Sequence, residues 1–161
     1  MWGFITGVVL SATCLFAYIR LGFAEVASDA TPSQWESRLM RAAVVASVQR
    51  RASQLKAPAP VSDDALVEGG RLYVAGCTGC HGEIKRAGID LSHHPRVPQF
   101  AHAPAEYSEA EMFWIVKHGV RMTAMSAYGP FYSDKQMWAI AGFLHRIRNL
   151  PPTVVDRIQS K

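Results

Sequence analysis

The pentapeptide Cys77-Thr78-Gly79-Cys80-His81 constrains this chain more than any other feature of its sequence. Two cysteines separated by two residues and followed directly by a histidine form the attachment signature of a c-type haem. The two thiols lie close enough to add to the two vinyl groups of one porphyrin, and the histidine is then held beneath the iron as its proximal ligand. A zinc knuckle is excluded because it needs four ligands and no cysteine follows Cys80. The sequence therefore predicts one covalent haem c on Cys77, Cys80 and His81.

Length, charge and cysteine count limit the number of domains and the class of function. The 161 residues allow one small domain with an appendage. The formal net charge of +4 is too small and too unevenly placed to predict nucleic-acid binding. Two of the three cysteines are used by the haem motif, which excludes a disulfide framework. Attachment of a c-type haem also implies a domain outside the cytoplasm.

The first segment is an apolar run, residues 2–19, without a charged side chain. As a helix it would measure about 30 Å, enough to cross the hydrocarbon core of a bilayer. A cleaved signal peptide is the alternative, with Gly22-Phe23-Ala24 as a tolerable cleavage site. We favour a retained anchor over residues 1–24, because the run is long and no Lys or Arg precedes it. The haem, not the charge pattern, places its N-terminus in the cytoplasm.

Residues 25–60 contain a basic helix and a proline-rich linker. Thr31 suits the N-cap and Pro32 the first helical position. Apolar residues then recur at spacings near three and four, which predicts a moderately amphipathic helix. They are Trp35, Leu39, Ala42, Ala43, Ala46 and Val48. Residues 31–56 carry five basic side chains against Glu36, and this pattern suits a solvated connector, a helix on anionic headgroups or a helix docked into a membrane complex.

Residues 61–150 form the predicted haem domain, with 151–161 as a C-terminal tail. Ser62, Asp63 or Asp64 can cap a helix that leads into the haem motif. Capping boxes at Ser108 and Ser133 open two further apolar helices, and the prolines at 151 and 152 end the last one. No segment has the pattern of a strand, so the fold class is all-α. The long loop after His81 would wrap the porphyrin.

The second axial ligand must come from the remaining methionines and histidines. The candidates are Met112, Met122, Met125, Met137, His93, His94, His102, His118 and His145. Met112 and Met137 lie on apolar helix faces typical of a core, whereas His145 lies among arginines at a surface and His118 suits a helix C-terminus. The other histidines lie in the loop on the proximal side. Met122 and Met125 lie in a loop between two capped helices, and spacing alone does not choose between them.

Three motifs of the predicted haem domain match a known family. They are Gly69-x-x-x-Tyr73-x-x-x-Cys77-x-x-Cys80-His81, the stretch Lys117-His118-Gly119-Val120-Arg121-Met122-Thr123-Ala124-Met125, and the final aromatic helix. On the basis of these motifs, residues 62–150 resemble a class I c-type cytochrome, of the bacterial monohaem kind related to the haem subunits of cbb3-type oxidases. The resemblance implies the class I cytochrome c fold around one haem, here preceded by one transmembrane helix and an amphipathic connector helix.

The resemblance also implies roles for individual residues. Met125 occupies the place of the iron-binding methionine, although Ala124 and Ser126 replace the usual glycine and proline of that loop. Met122 is the fallback. In this family the first and last helices pack through a glycine and aromatics, so Gly69 and Tyr73 would meet Ile140 and Phe143. Pro98 matches the proline whose carbonyl accepts the N–H of the proximal histidine.

Two protein ligands on the iron leave no open position for oxygen or substrate, and His/Met ligation raises the potential. Both facts favour one-electron transfer over catalysis, so the chain is predicted to be an electron carrier and not an enzyme. The alternative is a gas sensor or peroxidase-like domain whose methionine dissociates. Such a site needs a distal acid–base residue, for which His118 or Arg121 is the nominee.

The anchor predicts a tethered carrier or a fixed subunit of a larger membrane complex. The family resemblance implies redox neighbours: a quinol-oxidising complex, a terminal oxidase, a photosynthetic reaction centre or a dehydrogenase. The predicted location is the bacterial inner membrane, in a single pass with the haem domain facing the periplasm. The pathway would be respiratory or photosynthetic.

Overall fold

A computed structural model describes residues 2–27, 30–58, 60–88, 95–103 and 106–160. In these ranges every regular element is helical, which confirms the predicted all-α fold class. The helices are α1 (Trp2–Arg20), α2 (Gln34–Ala52), α3 (Asp63–Gly76), α4 (Thr78–His81), α5 (Glu109–His118), α6 (Asp134–Arg146) and α7 (Pro152–Gln159), with a short 3₁₀ turn at Ile147–Asn149. The chain forms two compact units, Met1–Thr31 and Pro32–Lys161.

The first unit consists of α1 and the residues after it. The 19-residue helix is long and apolar enough to cross a membrane, with a mean hydropathy of 1.8, and none of its residues is buried within the protein. Thr6, Ser11 and Thr13 each donate their hydroxyl to the carbonyl four residues earlier, at 2.9–3.0 Å. These aliphatic hydroxyls are therefore satisfied inside the helix itself.

Serine caps begin four helices of the second unit. The side chains of Ser33, Ser62, Ser108 and Ser133 each accept a backbone N–H from the first turn. Ser108 and Ser133 form the predicted capping boxes, with Glu111 and Gln136 as their partners. For α2 the predicted start was wrong by two residues. Its cap is Ser33 and not Thr31, because the serine hydroxyl reaches the N–H of Glu36.

The core lies where α3 crosses α6. A Cβ atom on Gly69 would lie 2.1 Å from the carbonyl oxygen of Ala139, so the two backbones are in contact at this point. One turn later the ring of Tyr73 packs against Phe143, at 5.4 Å between centroids. Both rings are fully buried. The helix crossing expected from the family resemblance is confirmed, and it places the end of α3, where the haem motif begins, on a rigid support.

The helix α5 packs on the other side of α6. Phe113 stacks on Trp138 at 4.2 Å between centroids, with Met112 and Met137 buried beside this pair. Lys117 of α5 donates to the carboxylate of Asp134 at 2.7 Å. The position of α5 matters because the loop that carries Met125 follows it directly.

The last helix, α7, is not predicted by the sequence analysis. Its residues Val154 and Ile158 are buried, and the helix packs on α3. Ile158 lies over Gly70, where a Cβ atom would come within 2.3 Å of its Cδ1. The proline at 152 stands in the first turn of α7, where the missing N–H costs nothing. The two prolines predicted to end a helix therefore begin α7 instead, since α6 already ends at Arg146.

The two halves of α2 have different surroundings. Val48 and Ala52 are buried, and the helix contacts α5. The guanidinium of Arg51 lies over the ring of Trp114, 6.0 Å from its centroid. In the N-terminal half Trp35 and Leu39 remain exposed.

Candidate haem site

Cys77, Cys80 and His81 share one turn of backbone. The amide of Cys77 donates to the carbonyl of Tyr73, which joins the motif to the end of α3. The carbonyl of Cys77 accepts the amides of Cys80 at 3.2 Å and His81 at 2.9 Å. All three side chains are half-buried, and both thiols are free. The turn thus holds the three predicted haem residues together.

Burial sets the chemistry of the first thiol. Burial, with a smaller contribution from the neighbouring Cys80, raises the pKa of Cys77 to about 11. Since the thiolate is the reactive form of cysteine, the folded polypeptide holds Cys77 in its unreactive, protonated form at neutral pH.

The imidazole of His81 is oriented by the backbone of Pro98. Its Nδ1 lies 2.9 Å from the Pro98 carbonyl oxygen, so Nδ1–H donates and Nε2 carries the lone pair. The ring of Phe100 stacks on the imidazole at 5.0 Å between centroids. Burial lowers the pKa of His81, against the smaller effect of the Pro98 hydrogen bond, and this favours the neutral ring that a metal requires. The expected contact with Pro98 is confirmed.

The side chain of Gln99 holds this loop against the haem motif. Its Nε2 donates to the carbonyl of Cys80 at 2.9 Å, and its Oε1 accepts the amide of Gly88 at 2.7 Å. Pro98 directly precedes Gln99 in the chain. The side-chain hydrogen bonds of Gln99 therefore also hold in place the Pro98 carbonyl that orients His81. This role was not predicted from the sequence. A lone glutamine in a loop carries no pattern that would have indicated it.

A second contact that was not predicted holds the residue after the motif. The hydroxyl of Tyr73 donates to the carbonyl of Gly82 at 2.6 Å in a buried environment. Burial, with a smaller contribution from Cys77, raises the pKa of Tyr73 and keeps the phenol protonated as a donor. Gly82 has φ +79°, and a Cβ atom there would lie 2.4 Å from the amide nitrogen of Gly88. Only glycine fits this turn, which sends the chain from His81 into the loop.

Met125 lies in the loop that follows α5. Gly119 ends α5 with φ +66°, and a Cβ atom there would come within 2.6 Å of the Met125 carbonyl oxygen. The amide of Val120 donates to that carbonyl at 3.0 Å. The amide of Met125 donates to the hydroxyl of Thr123 at 3.1 Å. The Met125 side chain is half-buried and packs against the hydrophobic core.

The other candidate ligands differ from Met125 in burial. Met122 is 93% exposed and has φ +62°, a left-handed conformation that is strained for a residue with a side chain. Met112 and Met137 are buried in the core, as expected. His102, His118 and His145 are exposed, and His118 packs against Trp114 at 4.9 Å between centroids. His93 and His94 lie outside the described residues. Arg121 is exposed.

Tyr128 connects the methionine loop to the haem motif. Its hydroxyl donates to the carbonyl of Gly76, the residue before Cys77, at 3.2 Å. Burial raises the pKa of Tyr128, and Cys77 and Cys80 raise it further as neighbouring groups. Among the described residues no hydrogen bond joins Met125 itself to Cys77, Cys80 or His81. The structure therefore brings the first three predicted residues together directly and places the fourth on an adjoining loop.

The residues present fit a haem c. The two free thiols stand on one turn, and the histidine beside them keeps the lone pair of Nε2 because its Nδ1–H is used by Pro98. A second, soft donor for iron is available from the thioether of Met125 on the adjoining loop. This donor set is suited to an iron porphyrin held covalently on one side.

The comparison with known proteins agrees with this geometry. The family model described as "Cytochrome C oxidase, cbb3-type, subunit III" matches residues 64–144, half of the chain. No curated protein and no solved structure matched the chain. The match spans the interval from the first turn of α3 to the end of α6, including the haem motif and the Met125 loop. The chain therefore belongs to this family, and it is a haem c protein of the class I cytochrome type that transfers electrons.

Proposed function

We propose that the chain binds one haem c, attached through Cys77 and Cys80, with His81 and Met125 as the two axial ligands. The observation that carries this proposal is the hydrogen bond from His81 Nδ1–H to the carbonyl of Pro98. It fixes the tautomer that presents Nε2 to a metal and raises the basicity of the ring. A histidine with a merely structural role in a loop would not need this arrangement beside two free thiols.

Met125 is preferred over Met122 for two reasons. Its side chain is half-buried against the core, whereas Met122 is 93% exposed. Its backbone is held in the loop at both its amide and its carbonyl. A ligand held in this way loses less conformational entropy when it binds than a freely moving side chain does.

Haem c, when bound, supplies reversible one-electron chemistry between Fe(II) and Fe(III). The residues of the chain orient and tune this group. Pro98 and Gln99 hold the His81 ring, Tyr73 anchors the turn after it, and Tyr128 holds the methionine loop to the motif. With both axial positions taken by side chains, the site would carry electrons and would not bind a substrate at the iron.

We further propose that α1 is a membrane anchor in the bacterial inner membrane, crossing it once with the haem domain in the periplasm. The helix has the required length and hydropathy. The three aliphatic hydroxyls of α1 are bonded to its own backbone, so none of them needs water. Haem c domains of this type work outside the cytoplasm, which fixes the orientation.

The proposed role is a fixed subunit, or a tethered carrier, of a respiratory or photosynthetic electron-transport complex. A tether confines the search for partners to the membrane surface and raises their effective concentration. Suitable partners are a quinol-oxidising complex, a terminal oxidase, a reaction centre or a periplasmic dehydrogenase. The matched family takes its description from an oxidase subunit, which favours a fixed position. Mild detergent extraction followed by sizing tests this, and recovery only as a lone monomer would contradict a fixed subunit.

The haem and its ligands are tested on the full-length protein produced with haem attachment. The denatured chain should keep its pigment and carry the added mass of one haem. Met125→Ala should abolish the weak near-infrared sulfur–iron band and open the reduced iron to carbon monoxide. Met122→Ala is the matched control and should leave both properties unchanged. The reverse result would assign the ligand to Met122.

The same carbon monoxide titration separates electron transfer from a gas sensor or peroxidase-like function. The unaltered reduced protein should not bind carbon monoxide readily at neutral pH, because Met125 occupies the sixth position. Rapid and complete binding would favour the alternative. His118 and Arg121, the nominated acid–base residues, would then be the first positions to substitute.

A further inference from the structure

The N-terminal half of α2 exposes large apolar side chains that no described part of the second unit covers. Trp35 is 70% exposed, Leu39 56% and Met40 54%. Trp35 and Leu39 are four residues apart and share one face of the helix. A large apolar group costs free energy in water, so a cluster of this kind marks a contact surface.

This exposure is a property of one half of the helix. The C-terminal half is fixed to the haem domain, with Val48 and Ala52 buried and Arg51 placed over Trp114. At 3.6 residues per turn, Trp35 is rotated about 140° away from Val48. The face that carries Trp35 and Leu39 therefore points away from the domain. Because α2 is held on its opposite side by Val48, Ala52 and the ion pair of Arg41 with Glu106, the domain presents this face to solvent in a fixed orientation.

The charges beside the apolar face are predominantly positive. Arg38 and Arg50 are exposed and lie within about 60° of Trp35 on the helix. Arg41 lies on the side of Val48 and pairs with Glu106. Within α2 the only acidic residue is Glu36. A tryptophan and aliphatic residues bordered by arginines are the composition of a helix that binds at the interface of an anionic bilayer. A protein partner with an acidic rim is the competing occupant, but the tether favours the membrane.

The covalent chain limits how far this helix can be from a membrane. Thirteen residues lie between the end of α1 at Arg20 and the start of α2 at Gln34. They span at most about 50 Å at full extension. The exposed apolar residues lie at the end of α2 that comes first after this connection. If α1 crosses the bilayer, the exposed cluster is thus always within reach of its headgroups.

We propose that the N-terminal half of α2 binds the outer surface of the membrane, with Trp35 and Leu39 in the interface and Arg38 on anionic headgroups. This inference rests on the proposed role of α1 as an anchor. A second contact of this kind would fix the orientation of the haem domain on the membrane, because α2 is packed on α5. The domain would then present one chosen side to its redox partners instead of swinging on a flexible tether.

The test uses the full-length holoprotein in lipid nanodiscs, with Cys14→Ala to remove the free thiol. A nitroxide is attached to Leu39→Cys, and its collisions with an aqueous nickel chelate are measured by electron paramagnetic resonance. Discs of phosphatidylcholine alone are compared with discs that also contain phosphatidylglycerol. We expect collisions to fall severalfold in the anionic discs, and high salt to restore part of them by screening. A label at Lys135→Cys, an exposed position of the haem domain, should be equally accessible in both.

Two further variants separate the causes. Arg38→Gln should weaken the protection of residue 39 in anionic discs, whereas Arg148→Gln, an exposed arginine of the haem domain, should not. A label at Leu10→Cys in α1 reports the anchor independently. If residue 10 is shielded from the chelate but residue 39 stays accessible in both lipids, the surface contact is overturned and the anchor stands.

The remaining outcomes also decide the matter. If residue 10 is accessible, the anchor fails and the surface contact that depends on it fails too. Protection of residue 39 accompanied by spin–spin broadening would place a second copy of the chain on this face and overturn the lipid contact. Equal protection in both lipids would overturn the role of anionic headgroups.

Discussion

The α3–α6 crossing and the N-terminal half of α2 show two different uses of apolar residues. At the crossing, a glycine lets two backbones touch, and Tyr73 and Phe143 are fully buried around it. On α2, Trp35 and Leu39 are as apolar as core residues but lie more than half exposed. The apolar residues of the crossing are buried by other residues of the same chain. The α2 face is not covered by any of the residues that the structure describes.

The two regions differ in the source of their stabilising contacts, which is the chain itself at the crossing and a proposed binding partner on α2. The crossing places the haem motif at the end of α3, so its free energy of packing directly supports the site. The exposed half of α2 contributes little to folding, and substitutions there should act on association. Substitutions at matched positions of the two regions therefore test whether they differ in this way.

The largest effect is expected from Gly69→Val. The added Cβ would lie 2.1 Å from the Ala139 carbonyl, and a backbone cannot move aside as a flexible side chain can. Overpacking of this severity should cost about 3 kcal/mol or more of unfolding free energy. Chemical denaturation of the detergent-solubilised holoprotein, followed by circular dichroism, measures this cost.

Ala75→Val is the control for Gly69→Val, because Ala75 is exposed on the same helix. It should change the unfolding free energy by less than about 0.7 kcal/mol, the cost of a poorer helix former. Equal losses in the two variants would mean that the helices do not meet at Gly69.

The next largest effect is expected from Ile158→Ala on α7. Ile158 is 8% exposed and lies over Gly70 and Phe143, so its truncation leaves a cavity against α3. The expected loss is about 2 kcal/mol. Gln159→Ala, exposed on the same helix, should be neutral. If both variants were neutral, α7 would not be part of the folded core.

Removal of the Tyr73 hydroxyl should have an intermediate effect on the unfolding free energy. Tyr73→Phe keeps the ring on Phe143 but leaves the buried carbonyl of Gly82 without its 2.6 Å partner, at a cost of about 1–2 kcal/mol. Tyr128→Phe is the matched variant, because its 3.2 Å hydrogen bond to Gly76 is exposed and should cost less. A larger loss of unfolding free energy for Tyr128→Phe would show that the hydrogen bond to Gly76 stabilises the protein more than the one to Gly82, contrary to this prediction.

The smallest effect is expected on α2. Leu39→Ala should change the unfolding free energy by less than about 0.5 kcal/mol, because the side chain is already exposed. Val48→Ala on the same helix removes a fully buried side chain and should cost about 1 kcal/mol or more. A loss at Leu39 as large as that at Val48 would show that the exposed face is covered within the protein itself.

Local signals predicted much of this structure. The haem motif, the capping boxes at Ser108 and Ser133, and the burial of Met112 and Met137 depend on short-range patterns, and each of these patterns has a direct physical cause. The start of α2 was misplaced because Thr31, Pro32 and Ser33 are all suited to a helix start. The hydroxyl that reaches the N–H of Glu36 decides among them, and only the folded backbone shows which one does.

Two features of the structure were not predicted from the sequence. The helix α7 was missed because Pro151 and Pro152 indicate a stop, although the buried pair Val154 and Ile158 has helical spacing and could have indicated it. Gln99 was missed for a different reason. Two of its hydrogen bonds join residues 11 and 19 positions away, and such contacts depend on the tertiary path of the loop.

The contact of α7 with α3 has a consequence for protein engineering. Arg157 pairs with Asp64 at 2.7 Å, and Arg71 donates to the carbonyl of Arg157, so the exit of the domain lies beside its entrance. A cargo protein fused after Ser160 would therefore emerge next to the first turn of α3. Two copies of the domain could be joined in tandem by a short spacer without spanning the globule, which makes the domain a practical unit for synthetic conductive chains.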